Sequence, residues 1–385
     1  MANDASINIW STLIIISIAQ GLFTMTIMVM KQKRSGSLWL FLSMILFLIW
    51  LQLEFLAIRW PYDVGVSIFY GTRYGSWLLL GPLFYWLVRA TVNQHSLSRK
   101  DLIHAIPFLI FTLIIPNVTG DILSYRQVHY GMLTVFDQYN KEISTWQYVY
   151  SYLFVFQFIH FIAYLIVSNR LLSRHEESLK NQYSGHVIHD TKWLKRLSIY
   201  LMIVMAFVAL FLLIFFFTEI YRRHMDYLYV LPMAVLMYII AYRMADVKQV
   251  TTRASNGVAK YEKSSLDPSD AKKYAEQLER FMQNEQPYLI NELRLQDLAE
   301  SIGIPPHHLS QVINHNLKTT FFDYVNRYRV TRAKQLIASE SDFKSLLGIA
   351  FDSGFNNKTS FVNAFKKHEG VTPSAFRKQI EVALN

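Results

Sequence analysis

The chain has no cysteine. That excludes disulfides, thiol catalysis, Cys-ligated zinc and iron–sulfur clusters, and it says nothing about compartment. Charge is also sparse: 17% of the 385 residues are charged, against 52% hydrophobic and 15% aromatic. Only 14 Gly and 10 Pro are present, too few for a collagen-like or low-complexity chain. Such a length suggests two or three units. The charge present is unevenly placed. Residues 1–245 hold 19 Lys/Arg and 12 Asp/Glu, whereas the shorter stretch 246–385 holds 19 and 16. The first part is too apolar for an ordinary soluble domain, and the second has ordinary soluble composition.

Runs free of Asp, Glu, Lys and Arg lie at 5–30, 35–53, 74–88, 102–120, 143–169, 197–218 and 227–242. A spanning helix needs roughly 20 mostly apolar residues to cross ~30 Å of hydrocarbon. The runs therefore predict a bundle of seven transmembrane helices over 1–245. The third reaches full length only by extending back to about Val64 across Arg73, and the seventh is the shortest. No basic residue precedes Ile7 and the first run is long, so a signal peptide is not expected.

Loop charge sets the orientation. With the N-terminus outside, the inner loops carry 12 Lys/Arg, among them Lys31, Arg89, Arg99, Arg170 and Lys192, and the outer loops carry 5. Seven crossings then place the C-terminal residues in the cytoplasm of a cell with a multi-pass inner membrane protein. Within the bundle, Gln20, Glu54, Arg73, Gln157 and His160 are polar groups at or near membrane depth, where charge is expensive. Glu54 and Arg73 are placed to pair, and with Trp60, Tyr70, Tyr74 and Trp77 they form a candidate outward-facing ligand site. The bland reading is a set of interfacial aromatics with a structural Arg73. A retinal protein is discounted, because 226–242 has no lysine for a Schiff base. A secondary transporter usually shows internal repeats with interrupted helices, and no convincing repeat is visible.

Residues 246–273 are polar, mixed in charge and without a sustained apolar period, so they read as a linker. The longest inner loop, 170–196, carries His175, His186 and His189. His186 and His189 stand in H-x-x-H spacing beside Asp190 but lack a third positioned ligand, so no metal site is assigned. No phosphate loop or catalytic triad is present either, which argues against an enzyme, and no cofactor is called for.

Residues 274–385 hold one helical device twice. A helix starts near Ser269/Asp270, with Tyr274, Leu278, Phe281 and Met282 on one face, and Pro287 ends it. Ala299 and Gly303 then sit four apart: the alanine lets two helices approach, and the glycine permits the positive φ of a tight turn. Pro306 suits the first turn of the next helix. There Leu309, Val312 and Ile313 face inward, leaving His307, His308, Ser310, Gln311 and Asn314 outward. About 51 residues later Ala350 and Gly354 repeat the spacing. Phe361, Ala364 and Phe365 then face inward, and Lys358, Thr359, Val362, Asn363 and Lys366 outward. Between the two units, 321–338 forms a long helix with Phe322, Val325, Ala333, Leu336 and Ile337 inward. Arg329 shares that face, which predicts a packed structural arginine. At ~1.5 Å per residue the connector spans on the order of 25 Å, so two outward helices can enter successive major-groove segments of modestly bent DNA.

The residues Phe-Phe-Asp-Tyr-Val-Asn-Arg-Tyr-Arg-Val-Thr-Arg-Ala-Lys (321–334), Ile349-Ala350, Gly354-Phe355, Ser360-Phe361, Ala364-Phe365-Lys366-Lys367 and Gly370-Val-Thr-Pro-Ser374 resemble the DNA-binding domain of AraC/XylS-type bacterial transcription regulators. The preceding bundle is similar, more loosely, to seven-span modules on some membrane-bound members. The resemblance implies an all-α chain: a seven-helix transmembrane bundle at 1–245, a linker at 246–273, and a double helix-turn-helix domain at 274–385. It also implies sequence-specific promoter binding, with RNA polymerase as a further partner. By position, the base-reading candidates are His307, His308, Ser310 and Gln311 in the first unit, and Lys358, Thr359, Val362 and Asn363 in the second. Gln311 and Asn363 suit adenine and Lys358 suits guanine. The family often carries Arg at the positions of Gln311 and Asn363, and its absence removes the expectation of guanine there. Lys318, Lys366, Lys367 and the N-termini of the two recognition helices are phosphate candidates.

Charge within the domain is lopsided. Residues 318–378 hold 11 basic and 5 acidic groups, but 274–317 hold 2 and 6, so phosphate attraction should come from the second half. The expected function is a membrane-bound one-component regulator, in which a small-molecule or envelope signal alters dimerisation or the freedom of the DNA-binding domain. The rival expectation is a transporter or channel-like membrane protein with an appended helical protein-interaction domain.

Overall fold

A computed structural model describes residues 9–31, 35–59, 75–93, 97–123, 145–184, 191–217, 226–246, 266–339 and 345–384. Among these residues all regular structure is helical, with one isolated antiparallel bridge between Tyr183 and Arg294. The chain divides into two compact units. The first comprises Met1–Leu172 and Lys192–Ala254; the second comprises Ser173–Thr191 and Ser255–Asn385.

In the first unit seven helices occupy the positions of the seven apolar runs: α1 (Ile9–Lys31), α2 (Gly36–Arg59), α3 (Ser76–Asn93), α4 (Ile106–Leu123), α5 (Thr145–Gln182), α6 (Lys192–Phe217) and α7 (Asp226–Asp246). Four of them, α1, α2, α5 and α6, are long and apolar enough to cross a membrane; α3 and α7 provide shorter apolar segments. Among the described residues the structure thus supports four candidate spans where seven are expected from the sequence. Pro82 and Pro232 lie inside α3 and α7, the two helices with the shortest charge-free runs.

Packing in this unit has the polarity of a lipid-facing body. α1 turns Ile14, Ile18 and Met28 toward α2 and α7, and α2 packs on α3 and α7. Its other face leaves Ile16 and Phe23 47% and 60% exposed, and Leu113, Ile159 and Val235 are exposed as well. Bare apolar surface on this scale is unfavourable in water and favourable against acyl chains. The interior is itself mainly apolar, and a few polar groups are buried in it: Gln52, Glu54, Ser76, Gln157 and Ser168. Between α3 and α4, Asp101 accepts from the Ser98 N–H and hydroxyl, each at 2.8 Å, and pairs with Arg89. The Ser98 bonds, and after them Arg89, hold its carboxyl at a pKa of about 2.

The second unit begins with the end of α5, which runs on to Gln182 through a stretch expected to be loop. Then come α8 (Pro268–Asn284), a short 3₁₀ turn Pro287–Leu289, α9 (Leu295–Ile302), α10 (Pro306–Gln311), a π-turn Val312–Asn316, α11 (Phe321–Ser339), α12 (Leu346–Asp352), α13 (Lys358–Glu369) and α14 (Pro373–Leu384). α8 starts where the sequence places it: Asp267 accepts from the Ser269 N–H at 2.9 Å, with Pro268 at the first helical position. Two hydrophobic cores follow. Leu278, Met282, Leu298, Leu309, Ile313, Phe321 and Val325 form the first, and Val330, Ala333, Ile337, Ile349, Ala350, Phe361 and Phe365 the second. Each fully buried Leu or Phe is worth ~1.5–3 kcal/mol relative to exposure, so each helix pair is held by its own core. α11 lends its first half to one core and its second half to the other. Within it Phe321 is the fully buried phenylalanine and Phe322 is half-buried, reversing the expected choice.

Candidate DNA-binding interface

Each helix-turn-helix unit is closed by a glycine in left-handed conformation. Gly303 has φ 75° and ends α9, while Gly354 has φ 86° and follows α12. A Cβ at Gly354 would stand 2.4 Å from the Tyr288 carbonyl oxygen and 2.9 Å from Leu289 Cα, so this turn also needs glycine for close approach. At Gly303 nothing lies within 4 Å.

The expected base readers fall on two helices with different surroundings. On α10, His307, His308, Ser310 and Gln311 are all half-buried. His308 stacks on Tyr274 of α8, ring centroids 6.0 Å apart, and His307 lies 4.1 Å from it. The Ser310 hydroxyl accepts from Asn314 Nδ2 at 3.2 Å. On α13, Lys358, Thr359 and Asn363 are exposed and Val362 is half-buried. α13 is thus the freer of the two. It is started by Asn357, whose side chain accepts from the Ser360 N–H at 2.8 Å, a cap that the sequence reading missed although Asn is a favoured cap residue.

Among the phosphate candidates Lys318 and Lys366 are exposed. Lys367 is engaged: its ammonium lies 2.6 Å from the Asp323 carboxylate on α11. A second strut that the sequence reading missed joins the same elements, where Lys334 pairs with Glu369 at 2.7 Å and lies over the Phe376 ring. Neighbouring these charges, His368 is half-buried and burial pushes its imidazole below the ordinary 6.5, with Asp323 and Glu369 opposing and Lys367 and Arg327 adding to the shift. As pH falls below 6.5, the unfolded chain takes up a proton that the folded state resists, so stability declines. Denaturation curves at pH 7.5 and 5.5 should show this loss, and His368→Gln should reduce it.

Arg329 sits where the two cores meet, 2% exposed. Its Nε donates to the Tyr288 carbonyl at 2.7 Å, its Nη2 to Ile290 O at 2.7 Å and to Ser184 Oγ at 3.2 Å, and its Nη1 to Ser184 O at 3.0 Å. The Phe355 ring lies 5.8 Å from the guanidinium carbon. Burial brings its pKa down to about 10, which leaves a full cation at neutral pH. The expectation of a packed, structural arginine is met.

In the first unit, Glu54 is buried, and so is Trp77, whose ring packs 4.8 Å from that of Phe161. Trp60, Tyr70, Arg73 and Tyr74 lie outside the described residues, as do His186, His189 and Asp190. A polar cluster the sequence only partly revealed lies between α4's lead-in and α5: His104 Nδ1 is 2.6 Å from the Tyr164 hydroxyl, and the His160 ring is 4.7 Å from that of Tyr164. Gln157, one turn before His160, is fully buried, and among the described residues neither of its side-chain polar atoms has a hydrogen-bond partner.

Comparison with known proteins bears on both parts of the chain. Residues 298–379 match the family described as "Helix-turn-helix domain". Residues 120–259 match the family described as "Mycoplasma MFS transporter". The chain is 34% identical over 89 residues to the uncharacterized HTH-type transcriptional regulator YtdP of Bacillus subtilis, which covers 23% of this chain and 11% of YtdP. It is 33% identical over 93 residues to the regulatory protein PocR of Salmonella typhimurium, 24% of this chain and 30% of PocR. To the probable transcription factor PqrA of Proteus vulgaris it is 30% identical over 86 residues, 22% of this chain and 69% of PqrA. The chain therefore spans less than a third of YtdP and of PocR. No solved structure matches it. With its double helix-turn-helix unit matched across more than two thirds of PqrA, the chain belongs to the AraC-type helix-turn-helix regulators, a family of regulators and not of enzymes.

Proposed function

We propose that the chain is a membrane-bound one-component transcription regulator whose second unit reads promoter DNA under control of its helical bundle. The observation that carries this reading is the pair of helix-turn-helix cores built on the two halves of α11. Such a frame presents α10 and α13 as two recognition helices on one rigid rod. Gln311, Lys358, Thr359 and Asn363 read base edges in this account, with His307, His308, Ser310 and Val362 closer to the supporting core. Lys366 and Lys318 contact phosphate, and Lys367 does so only when it leaves Asp323.

Four apolar helices and the outward-facing Leu, Ile and Phe side chains support a membrane location. Seven crossings, an outside N-terminus and a cytoplasmic second unit complete the proposal, since DNA is reached only there. Glu54, Arg73, Trp60, Tyr70, Tyr74 and Trp77 remain the proposed site for a small-molecule or envelope signal, with RNA polymerase and a second copy of the chain as further partners.

The test uses the intact chain in lipid nanodiscs to select duplexes from random-sequence DNA. Lys366→Ala should weaken binding to every duplex alike, and Gln311→Ala should relax the preference at one base position by ~10–100-fold. Selection of no consensus sequence would refute the assignment. The match to a transporter family over residues 120–259 favours a second reading, a transporter or channel-like protein with an appended protein-interaction domain. Substrate flux through liposomes containing the chain is the result that would support it.

A further inference from the structure

The second unit contains a piece of chain that no helix-turn-helix pattern includes. Its segment Ser173–Thr191 includes the far end of α5 and, just after it, Tyr183 and Ser184. Ser184 is fully buried, 109 residues away in sequence from the carbonyl it binds: its N–H donates to Leu293 O at 3.1 Å and its hydroxyl to the same oxygen at 2.8 Å. Tyr183 bridges to Arg294 in antiparallel fashion, and the Arg294 guanidinium lies over the Tyr183 ring at 5.9 Å. Ser184 also supplies two acceptors to Arg329, a carbonyl at 3.0 Å and a hydroxyl at 3.2 Å, both nearer than Asn326 Oδ1 at 3.5 Å and Asn291 O at 3.4 Å on the same nitrogens.

Arg329 has five N–H donors and no way to shed its charge at neutral pH, so each missing acceptor in a buried site is costly. The carbonyls of Tyr288 and Ile290 come from the entry to the first helix-turn-helix unit. The Gly354 turn of the second presses on Tyr288 and Arg329 from the other side. Whatever closes the shell of Arg329 therefore fixes the first reader relative to the second.

We propose that the Tyr183–Ser184 strap is a working part of the DNA reader: docked, it closes the shell of Arg329 and sets the spacing of α10 and α13, and undocked, it releases that spacing. The strap follows directly on α5, one unbroken helix from Thr145 to Gln182, and α5 is therefore the route by which a signal reaches the reader. Ser184 acts through Arg329 and is a positioning residue. The proposal rests on the DNA-reading function above and adds its control point.

Because the chain has no cysteine, a single introduced pair can report docking. Tyr183→Cys with Arg294→Cys, in the full chain in nanodiscs, should form a disulfide under mild oxidation, bridging residues having Cα atoms ~4.5–5.5 Å apart. The locked protein should bind its selected two-subsite duplex at least as tightly as wild type. Ser184→Ala should bind that duplex about tenfold more weakly, as expected when the competent fraction falls to about a tenth. It should also tolerate insertion of one base pair between the subsites better than wild type, while its affinity for a single subsite stays the same. A merely destabilised variant would lose single-subsite binding too, and that result overturns the proposal. Failure of the disulfide to form, or wild-type spacing dependence in Ser184→Ala, also overturns it while leaving the DNA-reading function standing. If the wild-type chain selects no sequence, both fall.

Discussion

Replacing Arg329 with methionine should destabilise the second unit by about 3–5 kcal/mol, because it removes the donor from two buried carbonyl oxygens and weakens the bonding of a third. Methionine keeps much of the volume, so the loss isolates hydrogen bonding from packing. The acceptors left without this donor are the carbonyls of Tyr288 and Ser184, while Ile290 O keeps the Leu293 N–H at 3.3 Å. Arg329→Lys should fall between the two: it retains the charge, but a point ammonium cannot reach acceptors arrayed around a planar fork. Amide hydrogen exchange of the full chain across a urea series reads the effect, since protection in α9 and α11 should drop together. A loss below ~1 kcal/mol for Arg329→Met, the size of an ordinary surface change, would show that Arg329 does not join the two cores.

Gly354→Ala should be nearly as damaging, and Gly303→Ala much less. Both glycines hold positive φ, a conformation costing an L-residue ~1–2 kcal/mol. At Gly303 that is the whole penalty, because an added methyl meets open space. At Gly354 the methyl meets backbone atoms at 2.4 and 2.9 Å, which cannot swing aside as a side chain can. The Gly354 turn must then back away from Tyr288, for a total of ~3–5 kcal/mol. The same exchange experiment ranks the two. Equal losses would mean that the contact between the Gly354 turn and Tyr288 is not maintained in solution.

The two glycines also show what could be read from the sequence. Their spacing from Ala299 and Ala350, with apolar residues returning at helical intervals, announces two helix-turn-helix units because these are local patterns. The helix joining them was legible for the same reason. Long-range pairing was not: nothing near Ser184 hints at Leu293, and the polar run Arg170, Arg174, Glu176, Glu177 and Lys180 looks like loop although it continues α5 as an amphipathic helix. Apolar runs located seven helices but measured poorly how many are long enough to span, since helix ends depend on neighbours that composition does not describe. At the interface, outward-facing positions were identified by periodicity alone. That method cannot distinguish Lys366, which is free in solvent, from Lys367, which is drawn to Asp323.

The length of α5 has its own consequence. Thirty-eight residues at ~1.5 Å each make a rod of ~57 Å, nearly twice the ~30 Å depth of acyl chains. A helix that overshoots its solvent answers a change in depth by tilting or sliding. The charged turns from Arg170 to Lys180 resist entering hydrocarbon, so a deeper bilayer would be met by tilting of the apolar part of α5, and that tilt would be carried along the charged end to Ser184. On the membrane-bound reading proposed above, bilayer thickness would then bear on how the end of α5 meets Ser184.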